Sequence, residues 1–234
     1  MNTNLVLALD FASANAALRL ARELKGVVPW MKVGLELFTA EGPRIVSDLK
    51  SMDFNVFLDL KFHDIPNTVK GAAKSAATLG ADLTTIHHAG GERMAQAALE
   101  GVHEAGYPTR VFAISILTST SPQEAGFSSA AEVVDAVAAK AVQAKAWGLS
   151  GIVCSGHEAA AVKAATGKDF LCLCPGIRLE GGADDDQRRV MTPAVAVGAG
   201  ADFLVMGRPI AKADDPRTAA MAALESMAAG SARV

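Results

Sequence analysis

The sequence predicts an α/β protein with the (β/α)8, or TIM, barrel fold, formed as a single domain over residues 1–234. Short apolar runs, typical of buried strands, alternate eight times with stretches of helical periodicity, and no linker separates two halves. The chain length of 234 residues is close to the roughly 250 residues of a one-domain barrel. No Gly-x-Gly-x-x-Gly follows the first apolar run, which disfavours the alternative, an open doubly wound sheet.

Each predicted strand is short and is followed by a predicted helix. The strands are predicted at 5–9, 30–35, 55–60, 82–87, 111–117, 151–155, 170–174 and 202–206. The helices are predicted at 14–25, 42–52, 66–79, 92–104, 130–147, 157–165, 192–199 and 216–229. Ser13 is expected to cap the first helix, and Pro66 to begin the third, because proline is favoured at the first helical position.

Composition excludes several classes of protein. Hydrophobic residues make up 50% of the chain and charged residues 20%, as in a globular protein with a sizeable core. The net charge of −3 does not indicate a nucleic-acid-binding surface. No apolar run approaches the roughly 20 residues of a membrane span, and no basic segment precedes the first strand as in a signal peptide. We therefore expect a cytoplasmic protein with neither a nucleic-acid nor a membrane partner.

The cysteines do not indicate a metal site. Cys154, Cys172 and Cys174 form no Cys-x-x-Cys, and no cluster of histidine and cysteine completes a zinc ligand set. We interpret them as small buried apolar residues in a reducing compartment.

Charged residues interrupt the apolar runs at three successive strands. Asp10 ends the first strand, Lys32 lies within the second, and Asp59 and Lys61 end the third. Because side chains alternate along a strand, all four can face the barrel axis. Unpaired buried charges are costly, so we expect an alternating network of two lysines and two aspartates. Active sites of these barrels lie at the carboxyl ends of the strands, which favours a catalytic network over a purely structural one.

A second group of residues predicts a phosphate site. Gly207 and Arg208 follow the eighth strand, where backbone N–H groups and a guanidinium can bind an anion. Phosphate sites in these barrels often follow strands seven and eight. The loop 176–187 is long enough to form a lid, and closure would bring Arg178 and Gln187 inward.

Taken together, these residues resemble the bacterial orotidine 5′-phosphate decarboxylases over nearly the whole chain. The matching segments are 9–11 (LDF), 32–38 (KVGLELF), 57–66 (FLDLKFHDIP), His87, 90–91 (GG), 117–119 (LTS), 175–178 (PGIR), 186–187 (DQ) and 205–208 (VMGR). The D-x-K-x-x-D pattern alone is shared with related sugar-phosphate decarboxylases, which bind Mg²⁺ and carry an acidic residue where Lys32 stands. Together, the segment at Lys32, the PGIR and the DQ pair distinguish the orotidine 5′-phosphate decarboxylases from these sugar-phosphate decarboxylases.

The resemblance implies decarboxylation of orotidine 5′-phosphate to UMP in pyrimidine synthesis, without a cofactor or metal. It implies that Lys61 donates a proton to C6 of the pyrimidine and that Asp59 lies against the substrate carboxylate. Lys32 and Asp64 would complete a Lys-Asp-Lys-Asp array, with Asp64 supplied by the other subunit of a homodimer. An alternative interpretation is that Asp64 caps its own helix.

The resemblance also implies the substrate-binding residues. Asp10 and Lys32 would hold ribose hydroxyls, together with Thr68 of the other subunit. Thr118 and the loop after it would bind the base. The phosphate would be bound by Arg178, Gln187, Gly207 and Arg208. Two other functions stay open: a Mg²⁺-dependent sugar-phosphate lyase of the same superfamily, and a nucleotide-binding barrel without catalytic activity.

Overall fold

The structure, a computed structural model, describes residues 3–179 and 191–232. Eight parallel strands form a closed barrel in sequence order, which confirms the predicted fold. The strands are β1 Asn4–Ala8, β2 Trp30–Gly34, β3 Asn55–Phe62, β4 Leu83–His87, β5 Arg110–Ile114, β6 Gly151–Val153, β7 Leu171–Cys174 and β8 Phe203–Met206. Val6 pairs with Trp30 on one side and with Val205 on the other, so β1 closes the barrel against β8.

Helices surround the barrel. They are α1 Ala14–Glu23, α2 Leu35–Glu41, α3 Arg44–Ser51, α4 Pro66–Thr78, α5 Gly91–Ala105, α6 Ala130–Ala146, α7 Gly156–Thr166, α8 Pro193–Gly198, α9 Arg208–Ala211 and α10 Pro216–Ser231. Pro66 is the first residue of α4, as predicted. Ser13 occupies the N-cap position of α1, but its side chain makes no capping hydrogen bond, so that part of the prediction is wrong.

The sequence patterns did not predict α2, and they misplaced some strand ends. The chain turns into α2 directly after Gly34, and burial of Leu37 against the barrel holds that helix in place. β1 ends at Ala8 rather than Leu9, which leaves Asp10 beyond the strand. β5 ends at Ile114 rather than at residue 117, because the chain leaves the sheet there and its next residues line a cavity at the barrel mouth.

The interior of the barrel is apolar along most of its length. Trp30 and Phe203 make an edge-to-face contact at 5.2 Å between ring centroids, and Phe112 meets Phe203 at 6.0 Å. Phe57 packs in the same cluster. A second and larger apolar layer lies between the strands and the helices. Two residues beyond Trp30 and Phe57, towards the carboxyl ends, the inward side chains become charged, at Lys32 and Asp59.

Ion pairs at the opposite end of the barrel are structural. Asp82, just before β4, accepts hydrogen bonds from Lys50 Nζ at 2.7 Å, from the Val56 N–H at 2.7 Å and from the Tyr107 hydroxyl at 3.0 Å. These contacts tie α3, β3 and the chain before β5 to the start of β4. In these barrels the amino-terminal face serves stability, and catalysis lies at the other face.

Two further observations concern membrane-spanning helices and the cysteines. Within residues 3–179 and 191–232, every helix is too short or too polar to cross a membrane. The three cysteines have free thiols and are buried, as predicted.

Candidate active site at the carboxyl ends of the strands

A cavity of about 300 Å³ opens at the carboxyl ends of the strands. Its lining is charged on one side and apolar on the other. The lining residues are Ala8, Asp10, Lys32, Phe57, Asp59, Lys61, Ile114, Ile116, Leu117, Thr118, Ser119, Val153, Leu173, Pro175, Gly176, Arg178, Val205, Gly207 and Arg208. Eight of the predicted site residues therefore lie in one cavity: Asp10, Lys32, Asp59, Lys61, Thr118, Arg178, Gly207 and Arg208.

The charged side of the cavity contains two ion pairs. Lys61 Nζ lies 2.6 Å from Asp59 Oδ2, and Lys32 Nζ lies 2.9 Å from Asp10 Oδ1. Lys32 and Asp59 are buried, with 9% and 7% of their surface exposed. Burial of a charge is tolerated only when an opposite charge or hydrogen-bond partners compensate, and each of these two has such a partner.

Lys61 reaches the cavity by a route that strand alternation did not predict. Its backbone has φ = 52°, in the left-handed region that side chains larger than glycine rarely adopt. The register between β3 and β4 also shifts between Leu58 and Phe62. The prediction that Lys61 faces the cavity is confirmed, but a local irregularity, rather than regular pleating, gives its position. Such strain persists only where surrounding contacts hold it, and it is frequent at functional sites.

Thr85 on β4 supplies one of those contacts, and the sequence analysis missed it. Its hydroxyl donates to Asp59 Oδ1 at 2.9 Å and accepts from the Lys61 N–H at 3.1 Å. A threonine within a strand is ordinary. The regular pairing of Leu58 with Thr84 leads to Asp59 beside Thr85, and the register shift that follows, which the sequence does not reveal, accompanies the bond from the Lys61 N–H to the same hydroxyl.

Gly34 is a second residue whose role the structure reveals. A Cβ atom built on Gly34 would lie 2.8 Å from Lys32 Nζ and 3.4 Å from Asp10 Oδ1. The absence of a side chain at Gly34 therefore leaves the space that the Lys32 ammonium occupies.

Two histidines, His63 directly after β3 and His87 at the end of β4, stand near Lys61. The rings of His63 and His87 lie 5.3 Å apart. Burial lowers the pKa of His87, and the nearby His63 and Lys61 lower it further. His87 is therefore neutral at pH 7, and it adds no second positive charge next to Lys61.

The loops after β7 and β8 also line the cavity, and a Cβ built on Gly207 would lie 3.6 Å from Asp10 Oδ2. Gly176 and Arg178 follow β7, and Gly207 and Arg208 follow β8. Gly176 has φ = 75°, a conformation that glycine adopts without strain. Two arginines therefore line one cavity, as suits a phosphate site. The predicted phosphate ligand Gln187 lies outside the described residues.

Asp64 and Thr68 do not line the cavity of their own chain. Both are exposed, and Asp64 Oδ1 accepts a hydrogen bond from the N–H of Ile65 at 2.6 Å. Ile65 is the N-cap residue of α4, and no side chain caps that helix. The alternative in which Asp64 caps its own helix is therefore wrong.

Comparison with known proteins identifies the family. A family model described as "Orotidine 5'-phosphate decarboxylase / HUMPS family" matches residues 3–223. The chain belongs to the orotidine 5′-phosphate decarboxylase / HUMPS family. An orotidine 5′-phosphate decarboxylase from Nitratidesulfovibrio vulgaris (strain DP4) is 54% identical over 231 residues, covering 96% of this chain and 97% of the relative. Another, from Cutibacterium acnes, is 50% identical over 230 residues and covers 97% and 98%.

Solved structures agree with this membership in the orotidine 5′-phosphate decarboxylase / HUMPS family. The crystal structure of an orotidine 5′-phosphate decarboxylase from Lactobacillus acidophilus has a TM-score of 0.83 and 33% sequence identity, covering 97% of this chain and 99% of that one. The crystal structure of an uncharacterized conserved protein from Geobacillus kaustophilus has a TM-score of 0.81 and 39% identity, covering 95% and 99%.

Proposed function

We propose that this chain decarboxylates orotidine 5′-phosphate to UMP and carbon dioxide in pyrimidine biosynthesis, as a cofactor-free, cytoplasmic enzyme of one domain. The observation that carries the proposal is the contact between Lys61 and Asp59 in a cavity that two arginines, Arg178 and Arg208, also line. Such an arrangement offers a fixed ammonium for the reacting carbon and a separate site for phosphate. Membership of the family supports the same activity.

The charged residues of the cavity favour one orientation of the substrate. Its phosphate lies between Arg178 and Arg208, with Gly207 allowing close approach of the backbone. Gln187, which lies outside the described residues, is proposed as a further phosphate ligand. The pyrimidine lies against the apolar side, near Thr118. The C6 carboxylate then points towards the charged side, where Asp59 and Lys61 lie.

The chemistry requires a positive charge at C6. When the bond between C6 and the carboxylate breaks, carbon dioxide leaves and the electron pair stays on C6, in an orbital that the ring π-system does not stabilise. The ammonium of Lys61 stabilises this charge and then transfers its proton to C6, which gives UMP. Because no cofactor takes part in the proposed reaction, charges that are already fixed in place provide most of the reduction in the activation barrier. Contacts to the remote phosphate add binding energy that is used at the reacting carbon.

The second ion pair binds the ribose. Asp10 and Lys32 each offer one polar group to a ribose hydroxyl while they neutralise each other at 2.9 Å. The position of Lys32 also distinguishes this function from that of the Mg²⁺-dependent sugar-phosphate relatives, because an ammonium replaces the acidic metal ligand there. Within residues 3–179 and 191–232, no group of three or more His, Cys, Asp or Glu side chains is arranged to hold a metal ion.

We further propose a homodimer in which Asp64 and Thr68 enter the partner's cavity. Large apolar side chains are exposed at this end of the barrel, with Ile65 67%, Leu35 55% and Leu117 46% exposed. All three directly follow or lie close to strand ends that carry site residues. Contact with a second copy would bury them and bring Asp64 next to the array.

Mixing two inactive variants tests the shared site. Lys61→Ala and Asp64→Asn homodimers should each be nearly inactive. In a mixed dimer, one site collects both substitutions and the other collects neither, so mixing should restore activity towards one working site per mixed dimer. If subunit exchange is confirmed and activity stays at the level of the parents, Asp64 does not act across the interface.

Turnover in the presence of a chelator tests the function itself. The purified chain in EDTA should convert orotidine 5′-phosphate, followed as loss of substrate absorbance. Loss of activity on chelation, with activity towards a keto-sugar phosphate, would instead establish a metal-dependent lyase. Tight UMP binding without turnover would establish a non-catalytic barrel.

A further inference from the structure

We infer that Thr85 is a positioning residue that holds Asp59 and Lys61 in their reactive arrangement. The inference rests on the proposed function, and it assigns a role to an uncharged residue that does not line the cavity. Thr85 touches the two residues on which the proposed chemistry depends, and neither its residue type nor its place in a strand indicates that role.

Thr85 uses its hydroxyl in both directions at once. Oγ1 donates to Asp59 Oδ1 at 2.9 Å and accepts from the Lys61 N–H at 3.1 Å. Because Oδ1 is held in this way, the other carboxylate oxygen, Oδ2, faces Lys61 Nζ at 2.6 Å. The side chain of Thr85 is fully buried, with 0% exposed, so bulk water does not reach the position of the hydroxyl. A residue without a hydroxyl would leave both partners with an unmade hydrogen bond.

The position of this hydroxyl matters because the backbone beneath it is irregular. Lys61 has φ = 52°, and the pairing of β3 with β4 shifts between Leu58 and Phe62. Regular ladder hydrogen bonds therefore do not fix Lys61, and the bond from its N–H to Thr85 takes their place. Catalytic groups need to be held within a fraction of an ångström, and a displacement of about 1 Å can reduce the rate a hundredfold.

The neighbouring threonine provides an internal comparison. Thr84 is also 0% exposed. Its hydroxyl donates at 3.0 Å to the backbone carbonyl of Leu58, which lies on β3, the strand that also carries Asp59 and Lys61. The two residues thus share type, burial, strand and partner strand. They differ in that Thr84 bonds to a backbone carbonyl, whereas Thr85 bonds to the catalytic pair.

The test compares Thr85→Val with Thr84→Val and Thr85→Ser. Valine keeps the shape of threonine without its hydroxyl. Thr85→Val should lower kcat for orotidine 5′-phosphate about tenfold to a hundredfold, the effect of losing a hydrogen bond to a charged group. KM and UMP affinity should change by less than about threefold, because the contacts to phosphate are kept. Thr85→Ser should restore kcat, and Thr84→Val should lower the melting temperature while leaving kcat unchanged.

Three results would overturn the inference. They are an undiminished kcat in Thr85→Val, an equal loss of kcat in Thr84→Val, and a failure of Thr85→Ser to recover activity. If Thr85→Val does not fold, as judged by circular dichroism, Thr85→Ala replaces it under the same criteria. Wild-type protein measured in the same assay separates the two proposals, because an inactive wild type refutes the proposed function, and the role of Thr85 with it.

Discussion

Replacing Gly34 by alanine should displace the ammonium of Lys32 without unfolding the barrel. The added Cβ would lie 2.8 Å from Lys32 Nζ, whereas ordinary contact begins at 3.4 Å, so the ammonium must move by about 0.6 Å. A shift of this size directed away from Asp10 stretches its 2.9 Å bond beyond the range of a good charge-assisted hydrogen bond. A bond of this kind contributes about 1.5–3 kcal/mol, which corresponds to a loss of about tenfold to a hundredfold in kcat/KM.

The fold should tolerate this change. Gly34 has φ = −95° and ψ = −175°, which alanine adopts without strain, and the atom it would displace is the end of a flexible side chain. Loss of glycine at the N-cap of α2 costs at most about 1 kcal/mol. Steady-state decarboxylation and thermal melting measure the two effects separately.

Gly198→Ala is the matched control. Apart from its chain neighbours and the backbone of its own helix, no described atom lies within 4 Å of a Cβ built at Gly198, so the same substitution there should leave kcat/KM unchanged. The reasoning is refuted if Gly34→Ala keeps kcat/KM within about twofold of wild type, or if Gly198→Ala loses as much as Gly34→Ala.

Two further predictions concern the phosphate end and the histidines. Arg208→Ala should cost at least about tenfold in kcat/KM for the phosphorylated substrate, because it removes a charge-assisted contact, and much less for phosphate-free orotidine; equal losses on both substrates would show that Arg208 does not bind phosphate. The lowered pKa of His87, due to burial and then to His63 and Lys61, means that the unfolded chain takes up this proton more readily than the fold. Thermal stability should therefore fall as the pH drops below about 6.5, the usual pKa of histidine. His87→Gln should make that dependence shallower, and an unchanged dependence would contradict the assignment.

The fold and the main site residues could be predicted because their patterns are local. Alternation of apolar runs with helical periodicity is enough to predict the barrel, and charges at strand ends stand out against an apolar background. Lys32 and Asp59 could be placed in the interior by strand alternation alone, since β2 and the first part of β3 are regular. α2 was missed because its segment continues the apolar run of β2 without a turn residue other than Gly34.

The remaining site features depend on contacts distant in sequence. The positive φ of Lys61 occurs where the register of β3 against β4 shifts, and the bond from its N–H to the Thr85 hydroxyl joins residues 24 positions apart. The clash between a side chain at position 34 and the Lys32 ammonium could not be predicted, because the ammonium stands at the end of a flexible side chain whose position the sequence does not give. No propensity or periodicity of a single segment encodes these distances, and the roles proposed for Asp64 and Thr68 require a second chain.

The activity of Lys61→Ala tests the central claim most directly, with Lys50→Ala as the control. Lys50 pairs with Asp82 at 2.7 Å at the amino-terminal end of the barrel, away from the cavity. Lys61→Ala should lose at least about a thousandfold in kcat for orotidine 5′-phosphate while staying folded, because it removes both the stabilising charge and the proposed proton donor. Lys50→Ala should instead lower the thermal stability and keep wild-type kcat. Substantial decarboxylation by folded Lys61→Ala, well above the solvent background, would contradict the account.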